Sequence, residues 1–223
     1  STMILPNDNI VVSGYKTVKD KFSIKKIIAS LRSKTTSQRK SNKSFVAMLD
    51  KSGGNKWETE FFEEDPNLLA SISYANNQIL LTGQKSTRFN GRGDAWLISL
   101  GLNGKKKWEE SYGGRGADGG NYAIKVSDGG YMMVGYTDAY GNGKNDIWLI
   151  KTDFTGEKEW SQVYGGKMDD YGWGVTETDD GGYVVVGETF SYGNGQSDIY
   201  LFKVDSLGKK IWDNTFGGIA EDV

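Results

Sequence analysis

Short runs of apolar residues, each bounded by glycine, aspartate or asparagine, alternate with polar segments along most of the chain. From Tyr171 onward this pattern predicts four strands, at 172–178, at 183–188, at 198–205 and around Trp212. A turn containing two glycines separates the first two strands, because glycine tolerates positive φ. Four short strands separated by turns, without a helical period, are typical of an antiparallel blade.

The same pattern recurs along the chain with a period of about 52 residues. The spacings of 51, 52 and 52 residues are found for four tryptophans: Trp57, Trp108, Trp160 and Trp212. Glycines and aspartates keep the same step, so several residue types repeat in phase. We therefore predict an all-β fold, a β-propeller built of four repeats, each a four-stranded antiparallel blade.

The blades are expected at approximately 1–66, 67–118, 119–170 and 171–223. The first repeat fits the pattern once an insertion at 16–44 is left out. The end of the chain is nearly in phase with its beginning, and two arrangements explain this. The four blades close into one β-propeller domain, or they are a four-blade piece of a larger propeller. The second arrangement is slightly favoured, because a domain rarely begins within a strand.

A D-x-x-G-x-x-x-W box occurs at 50–57, 153–160 and 205–212, and the second repeat keeps its glycine and tryptophan but has Gly101 in place of the aspartate. The aspartate is expected to accept backbone N–H bonds in a turn, and the glycine to adopt the left-handed conformation. The tryptophan is expected to pack between blades. A sugar-stacking tryptophan is the less favoured alternative, because a residue repeated in every unit usually belongs to the architecture.

This box resembles the tryptophan-docking motif of the quinoprotein propellers. The strands D-A-W-L at 94–97, D-I-W-L-I-K at 146–151 and D-I-Y-L-F-K at 198–203 resemble more closely a repeat family of bacterial secreted and surface β-propellers. The resemblance covers the chain apart from the insertion. It implies the propeller fold and an extracellular or cell-surface location, but no particular activity.

The composition removes several chemistries. The chain has 31 glycines but no cysteine and no histidine, so disulfides, thiolate zinc sites and Ser-His-Asp triads are excluded. Catalysis would have to use carboxylates, tyrosine or lysine. We expect no cofactor, with Ca²⁺ as the one alternative.

Two sets of loops should emerge on one face of the blades: those between the second and third strands, and those between blades. They carry the repeated carboxylates Asp94, Asp146, Asp198, Asp118 and Asp170. Bracing of the loops by Asx-type hydrogen bonds is the favoured interpretation, and Ca²⁺ binding the alternative. The candidate ligand-binding aromatic residues are Phe89, Tyr140, Tyr192 and Trp173.

The insertion at 16–44 concentrates positive charge in one segment. It holds eight Lys, two Arg and one Asp, a charge of +9, so the rest of this chain of net charge −2 carries −11. Apolar residues from Ile24 to Leu31 recur with a helical period, which predicts a basic amphipathic helix. Its candidate partner-binding residues are Lys25, Lys26, Arg32, Lys34, Arg39 and Lys40. The favoured alternative is that the apolar face covers the propeller mouth and the lysines are solvated.

Three hypotheses for function follow. The first is a non-catalytic binding or scaffold propeller with a protein or glycan partner, because no unique set of reactive residues is present. The second is a lectin-like propeller, and the third a hydrolase or lyase using Asp118, Asp169 and Asp170. Nucleic acid is not an expected partner, because the acidic body would repel phosphate. No apolar run approaches the ~18 residues of a spanning helix, so membrane insertion is not expected.

Overall fold

The computed structural model describes residues 1–17, 42–61, 68–75, 77–86 and 92–220. In this part of the chain every regular element is a β-strand. The strands form four antiparallel sheets of four, and within each sheet neighbouring strands are consecutive in the chain. The predicted all-β fold of four antiparallel propeller blades is therefore confirmed.

Within each blade we label the strands A, B, C and D in chain order. The first blade consists of β1 (Thr2–Ile4), β2 (Ile10–Thr17), β3 (Asn42–Leu49) and β4 (Asn55–Phe61). The second consists of β5 (Leu68–Ala75), β6 (Gln78–Ser86), β7 (Gly93–Gly101) and β8 (Lys106–Tyr112). The third consists of β9 (Asp118–Lys125), β10 (Tyr131–Thr137), β11 (Asp146–Thr152) and β12 (Lys158–Tyr164). The fourth consists of β13 (Asp170–Glu177), β14 (Tyr183–Thr189), β15 (Asp198–Val204) and β16 (Lys210–Phe216).

The strands predicted for the fourth blade agree with β13, β14 and β15 to within two residues at each end. The agreement reflects the turns, because glycine and aspartate mark the places where the chain reverses. The predicted helix around 24–31 and the six basic candidate residues of the insertion lie outside the described residues.

Three apolar cores lie between successive blades. Strand β7 shows how one strand serves two of them. Trp96 and Ile98 face the core shared with the first blade, whereas Ala95 and Leu97 face the core shared with the third. Because both faces of the sheet are covered, these strands are continuously apolar instead of alternating. The A strands of consecutive blades also pack against each other, so they form the inner side of the array.

The repeated tryptophans join each blade to the next. A ring packs on the turn glycine of the following blade in three pairs: Trp57 on Gly104, Trp108 on Gly156 and Trp160 on Gly208. In the first pair Trp57 Nε1 also donates a hydrogen bond to the Leu102 carbonyl at 2.7 Å. The approach is so close that a Cβ on Gly104 would lie 2.6 Å from the ring. Position 104 thus requires glycine for two reasons: a side chain would collide with the ring, and the backbone has a φ of 75°.

The fourth tryptophan is placed differently. Trp212 is 38% exposed and lies on β16, whose residues are all exposed. At the other end of the array, Gly53 has the same positive φ as the docked glycines, but a Cβ there would meet no atom within 4 Å. Among the described residues, neither Trp212 nor the Gly53 turn therefore has the docking partner that the three internal junctions share.

Substitution of two turn glycines should separate the loss of stability caused by backbone strain from the loss caused by collision with a docked tryptophan ring. Gly181→Ala, at a φ of 77° with nothing near its Cβ, should cost about 1–2 kcal/mol, the left-handed penalty alone. Gly156→Ala adds a collision 2.8 Å from the Trp108 ring and should cost about 1–3 kcal/mol more. Urea unfolding of both variants measures the difference. Equal losses would show that the ring contact does not constrain the turn.

Candidate functional site

Two sets of loops meet on one face of the array, and tyrosine hydroxyls connect them. Tyr140 donates to the Gly113 carbonyl at 2.8 Å, and Tyr192 donates to the Gly165 carbonyl. Each bond joins a B–C loop to the loop that leads into its blade. We call this surface the loop face; its described loops are 113–117, 138–145, 165–169 and 190–197.

Pairs of carboxylates lie beneath the double glycines of the loop face, which are Gly113-Gly114 and Gly165-Gly166. A Cβ on Gly165 would be 2.1 Å from Asp146 Oδ1 and 2.7 Å from Asp170 Oδ2. The two carboxylate oxygens can therefore be no further apart than the sum of these distances. Asp94 and Asp118 form the same arrangement in the preceding blade.

Hydrogen bonds from the loops hold these carboxylates in place. Asp170 Oδ2 accepts bonds from the Gly166 N–H at 2.9 Å and from Ser191 Oγ at 2.6 Å. Among the described residues, three carboxylates each keep one buried oxygen that accepts no hydrogen bond: Asp118, Asp170 and Asp198. The pairs thus brace the loops through one oxygen while leaving another unsatisfied.

Burial and like charge act together on the pairs. Burial raises the pKa of Asp146, and the negative charge of Asp170 raises it further. The pKa of Asp94 is raised in the same way, by burial and then by Asp118.

In the part of the chain that the structure describes, no three acidic side chains come together as a metal site. Two carboxylates alone fall short of the six to eight oxygens that Ca²⁺ takes, so calcium at these aspartates stays an untested prediction.

A β-bulge interrupts the inner strand at the same position in three blades. The strand register shifts there, and one residue has no partner on strand B: Ala70, Asn121 or Trp173. A bulge bends its strand and re-aims a side chain, and bulges are frequent beside binding sites. The strand-B glycine across from the bulge repeats as Gly83, Gly135 and Gly187, whereas the bulged residue is different each time.

Aromatic side chains form a row beside the last bulge. Trp173 is 49% exposed and stacks on Tyr171, with ring centroids 6.1 Å apart and an interplanar angle of 29°. Tyr136 meets Tyr171 edge to face at 5.5 Å. Tyr136 also lines a cavity of about 240 Å³ between the inner strands, together with Tyr15, Asn121 and others. The row therefore leads from the cavity to the exposed indole of Trp173, which is not among the described residues of the lining. We call this loop-face end of the inner strands the channel mouth.

The predicted aromatic candidates occupy different places. Tyr140 and Tyr192 lie at the rim, with hydroxyls bonded to loop carbonyls and rings 5.4 Å from Trp148 and Tyr200, respectively. Trp173 lies at the channel mouth. Phe89 is outside the described residues.

Sequence reasoning selected none of the residues that line the cavity, which include Tyr15, Gln84 and Tyr136. A signal for them exists in the sequence. Each directly follows the repeated strand-B glycine, at Gly14, Gly83 and Gly135. The position after the strand-B glycine is thus the same in each blade, but its side chain is not the same in all of them.

None of the carboxylates considered for catalysis lines the described cavity at the channel mouth. Asp169 accepts a hydrogen bond from Asn145 Nδ2 at 2.8 Å and pairs with Lys144 at 3.5 Å. Burial opposes the effect, but these contacts hold the pKa of Asp169 below its ordinary value. Neither Asp169 nor its neighbour Asp170 lines the cavity at the channel mouth.

No family model and no curated protein matches the chain. Among solved structures it is similar to BamB from Moraxella catarrhalis, at 12% identity and a TM-score of 0.37, over 78% of this chain and 60% of that one. It is also similar to an acylaminoacyl peptidase from Pyrococcus horikoshii, at 14% identity and a TM-score of 0.45, over 96% of this chain and 32% of that one. The chain spans less than two thirds of either protein. Similarity of this degree carries no argument about function.

A search of the described residues for helices with the length and apolarity to cross a membrane finds none.

The carboxylate pairs predict a pH dependence. Because the pKa of Asp146 is raised in the folded state, its ionisation lowers the free energy of unfolding. This loss is complete at pH values above the folded-state pKa and absent at pH values below the ordinary pKa of 3.8. Asp146→Asn should therefore raise the melting temperature at pH 8, because the amide oxygen can keep the bond from Asn142 without the charge. The gain should disappear as the pH falls towards 3.8.

Asp153→Asn is the matched control with the opposite sign. The hydroxyl of Thr155 and then nearby backbone N–H groups lower the pKa of Asp153, so its ionised form stabilises the fold. This variant should lower the melting temperature at pH 8, and the loss should fade at acidic pH as the wild-type carboxylate becomes protonated. Thermal melts across the pH range compare the two. A gain for Asp146→Asn that does not change with pH would contradict the proposed cause.

Proposed function

We propose that this chain is a non-catalytic binding or scaffold module that recognises a protein or glycan partner through its loop face. One observation carries the proposal. Three blades place three different side chains, Ala70, Asn121 and Trp173, at the same bulged position of the inner strand. Residues that serve the architecture repeat in every blade, so a position that varies on a repeated scaffold is where specificity can be built.

Export to a bacterial surface is part of the proposal. It is supported by the resemblance of the strands at 146–151 and 198–203 to repeats of secreted and surface propellers. The absence of cysteine and histidine fits a module that works by contact instead of by reactive side chains. A carboxylate hydrolase or lyase has weaker support, because its candidate aspartates serve as loop braces.

The partner should contact the loop face and not the opposite face. Because the chain lacks cysteine, one engineered thiol can carry a photoreactive probe to a chosen place. Asn194→Cys puts the probe on an exposed loop of the loop face, and Phe154→Cys puts it on an exposed turn at the other end of the blades. Irradiation in surface extracts of the source cell should trap a defined partner from position 194 only.

Deletion of residues 20–40 in the Asn194→Cys background adds a second arm. Loss of trapping would assign the partner contact to the basic insertion, and unchanged trapping would assign it to the channel mouth and loops. Equal labelling from positions 194 and 154, or none from either, would contradict the binding proposal.

We also propose that the four blades form one section of a larger ring, in which a further blade covers Trp212. The proposal is supported by the exposed ring of Trp212 and by the Gly53 turn that receives no tryptophan. At the first junction, Leu102 lies two residues before the turn glycine and accepts the indole N–H bond of Trp57. Lys51 is the equivalent residue in the first blade.

A disulfide trap tests this arrangement. In the variant Lys51→Cys/Asn214→Cys, both new thiols lie at exposed positions, one beside the Gly53 turn and one beside Trp212. The proposal predicts that the thiols stay free under mild oxidation and that an alkylating reagent modifies both. An intrachain disulfide formed at high dilution would instead show that the four blades close on themselves.

A further inference from the structure

The channel mouth combines a flat aromatic surface with a fixed support. Trp173 stands on a bulge, so its indole is turned out of the regular strand direction. Tyr171 stacks against it, and Tyr136 packs on Tyr171, so the row leaves the indole little freedom to move. The side chain of Asn121 ties this region to the preceding blade by donating to the Gly172 carbonyl at 2.9 Å. An exposed indole held from behind can accept a flat ligand without first being ordered.

Hydrogen-bonding atoms line the cavity that adjoins the aromatic row at Tyr136. Gln84 Nε2 donates to the Asp118 carbonyl at 3.1 Å and to the Tyr136 hydroxyl at 3.4 Å. No described group donates to Gln84 Oε1 or to Asn121 Oδ1, so both amide oxygens can accept bonds from a ligand. Burial, together with the charges of Asp118 and Asp138, raises the pKa of the Tyr136 phenol. It therefore stays protonated and can donate.

The described lining of the cavity has no charged side chain, which favours an uncharged ligand. Tyrosine is the only ionisable residue type in the described lining. No lysine or arginine there can neutralise an anion, and a cation would find no carboxylate in the lining. An uncharged ligand with several hydroxyl groups satisfies both amide oxygens and the phenol without leaving a buried charge unpaired.

We propose that the channel mouth binds a neutral carbohydrate, one ring of which stacks on Trp173 while its hydroxyls bond to Asn121 and Gln84. The inference rests on the proposed binding function and names its ligand class. The aliphatic face of a sugar ring covers the indole, and the donors around its edge meet the amide oxygens. A peptide is less well suited, because the bulges break the regular backbone spacing that an added strand would pair with.

The closing experiment is a glycan array followed by calorimetry with the sugar that it identifies. The wild-type chain should bind one class of neutral glycans. Trp173→Ala should weaken the affinity about tenfold or more, because it removes the stacking surface. Phe154→Ala is the matched control, since Phe154 is 69% exposed at the opposite end of the blades and its loss should leave binding unchanged.

A second pair of variants keeps the test valid if Trp173→Ala fails to fold. Trp173→Phe keeps an aromatic face and should retain part of the affinity, whereas Asn121→Ala should lose affinity with the stack intact. A blank array, or glycan binding that none of these variants weakens, would overturn the carbohydrate inference. A blank array with a protein still trapped from position 194 would refute the sugar alone and leave the binding module standing. A blank array together with failure of trapping from both faces would refute the module itself.

Discussion

Every blade in this protein depends on the next one to cover its apolar face. The sheets are apolar on both sides, and the three cores lie between blades instead of within them. The tryptophan of one blade sits on the turn glycine of the following blade and fixes the distance between them. Since a single blade cannot bury its own surface, the array is stable only as a series.

The same dependence separates residues that hold the array from residues that are free to change. Turn glycines and docking tryptophans recur because the contact between blades requires them. The strand-B glycines Gly83, Gly135 and Gly187 recur because the backbone of strand A in the same blade leaves no room for a Cβ. At the bulged position of the inner strand, Ala70 and Asn121 line the cavity and Trp173 is exposed, so none of them takes part in the tryptophan docking. Ala70, Asn121 and Trp173 can therefore differ while the scaffold stays the same.

The aspartate pairs of the loop face repel each other, but their hydrogen bonds hold the loops in place. Asp146 and Asp170 lie close together beneath a double glycine, and burial keeps water from screening their repulsion. In return, their oxygens and the tyrosine hydroxyls connect the loops of neighbouring blades. This keeps the rim of the channel mouth in place, so that any ligand meets a surface that is already ordered.

The sequence by itself determined the fold, because its information is local and repeated. Turn glycines and aspartates mark where strands end, and the 52-residue step gives the number of blades, so β13 to β15 were predicted almost residue by residue. Trp173 was also selected from the sequence. The cavity residues Tyr136 and Gln84 were not, because only the packing of successive inner strands brings them to one cavity. The bulges, the convergence of carboxylates on the double glycines and the exposure of Trp212 likewise arise between strands or blades. A one-dimensional pattern records which residues repeat, but distances between blades are decided by tertiary packing.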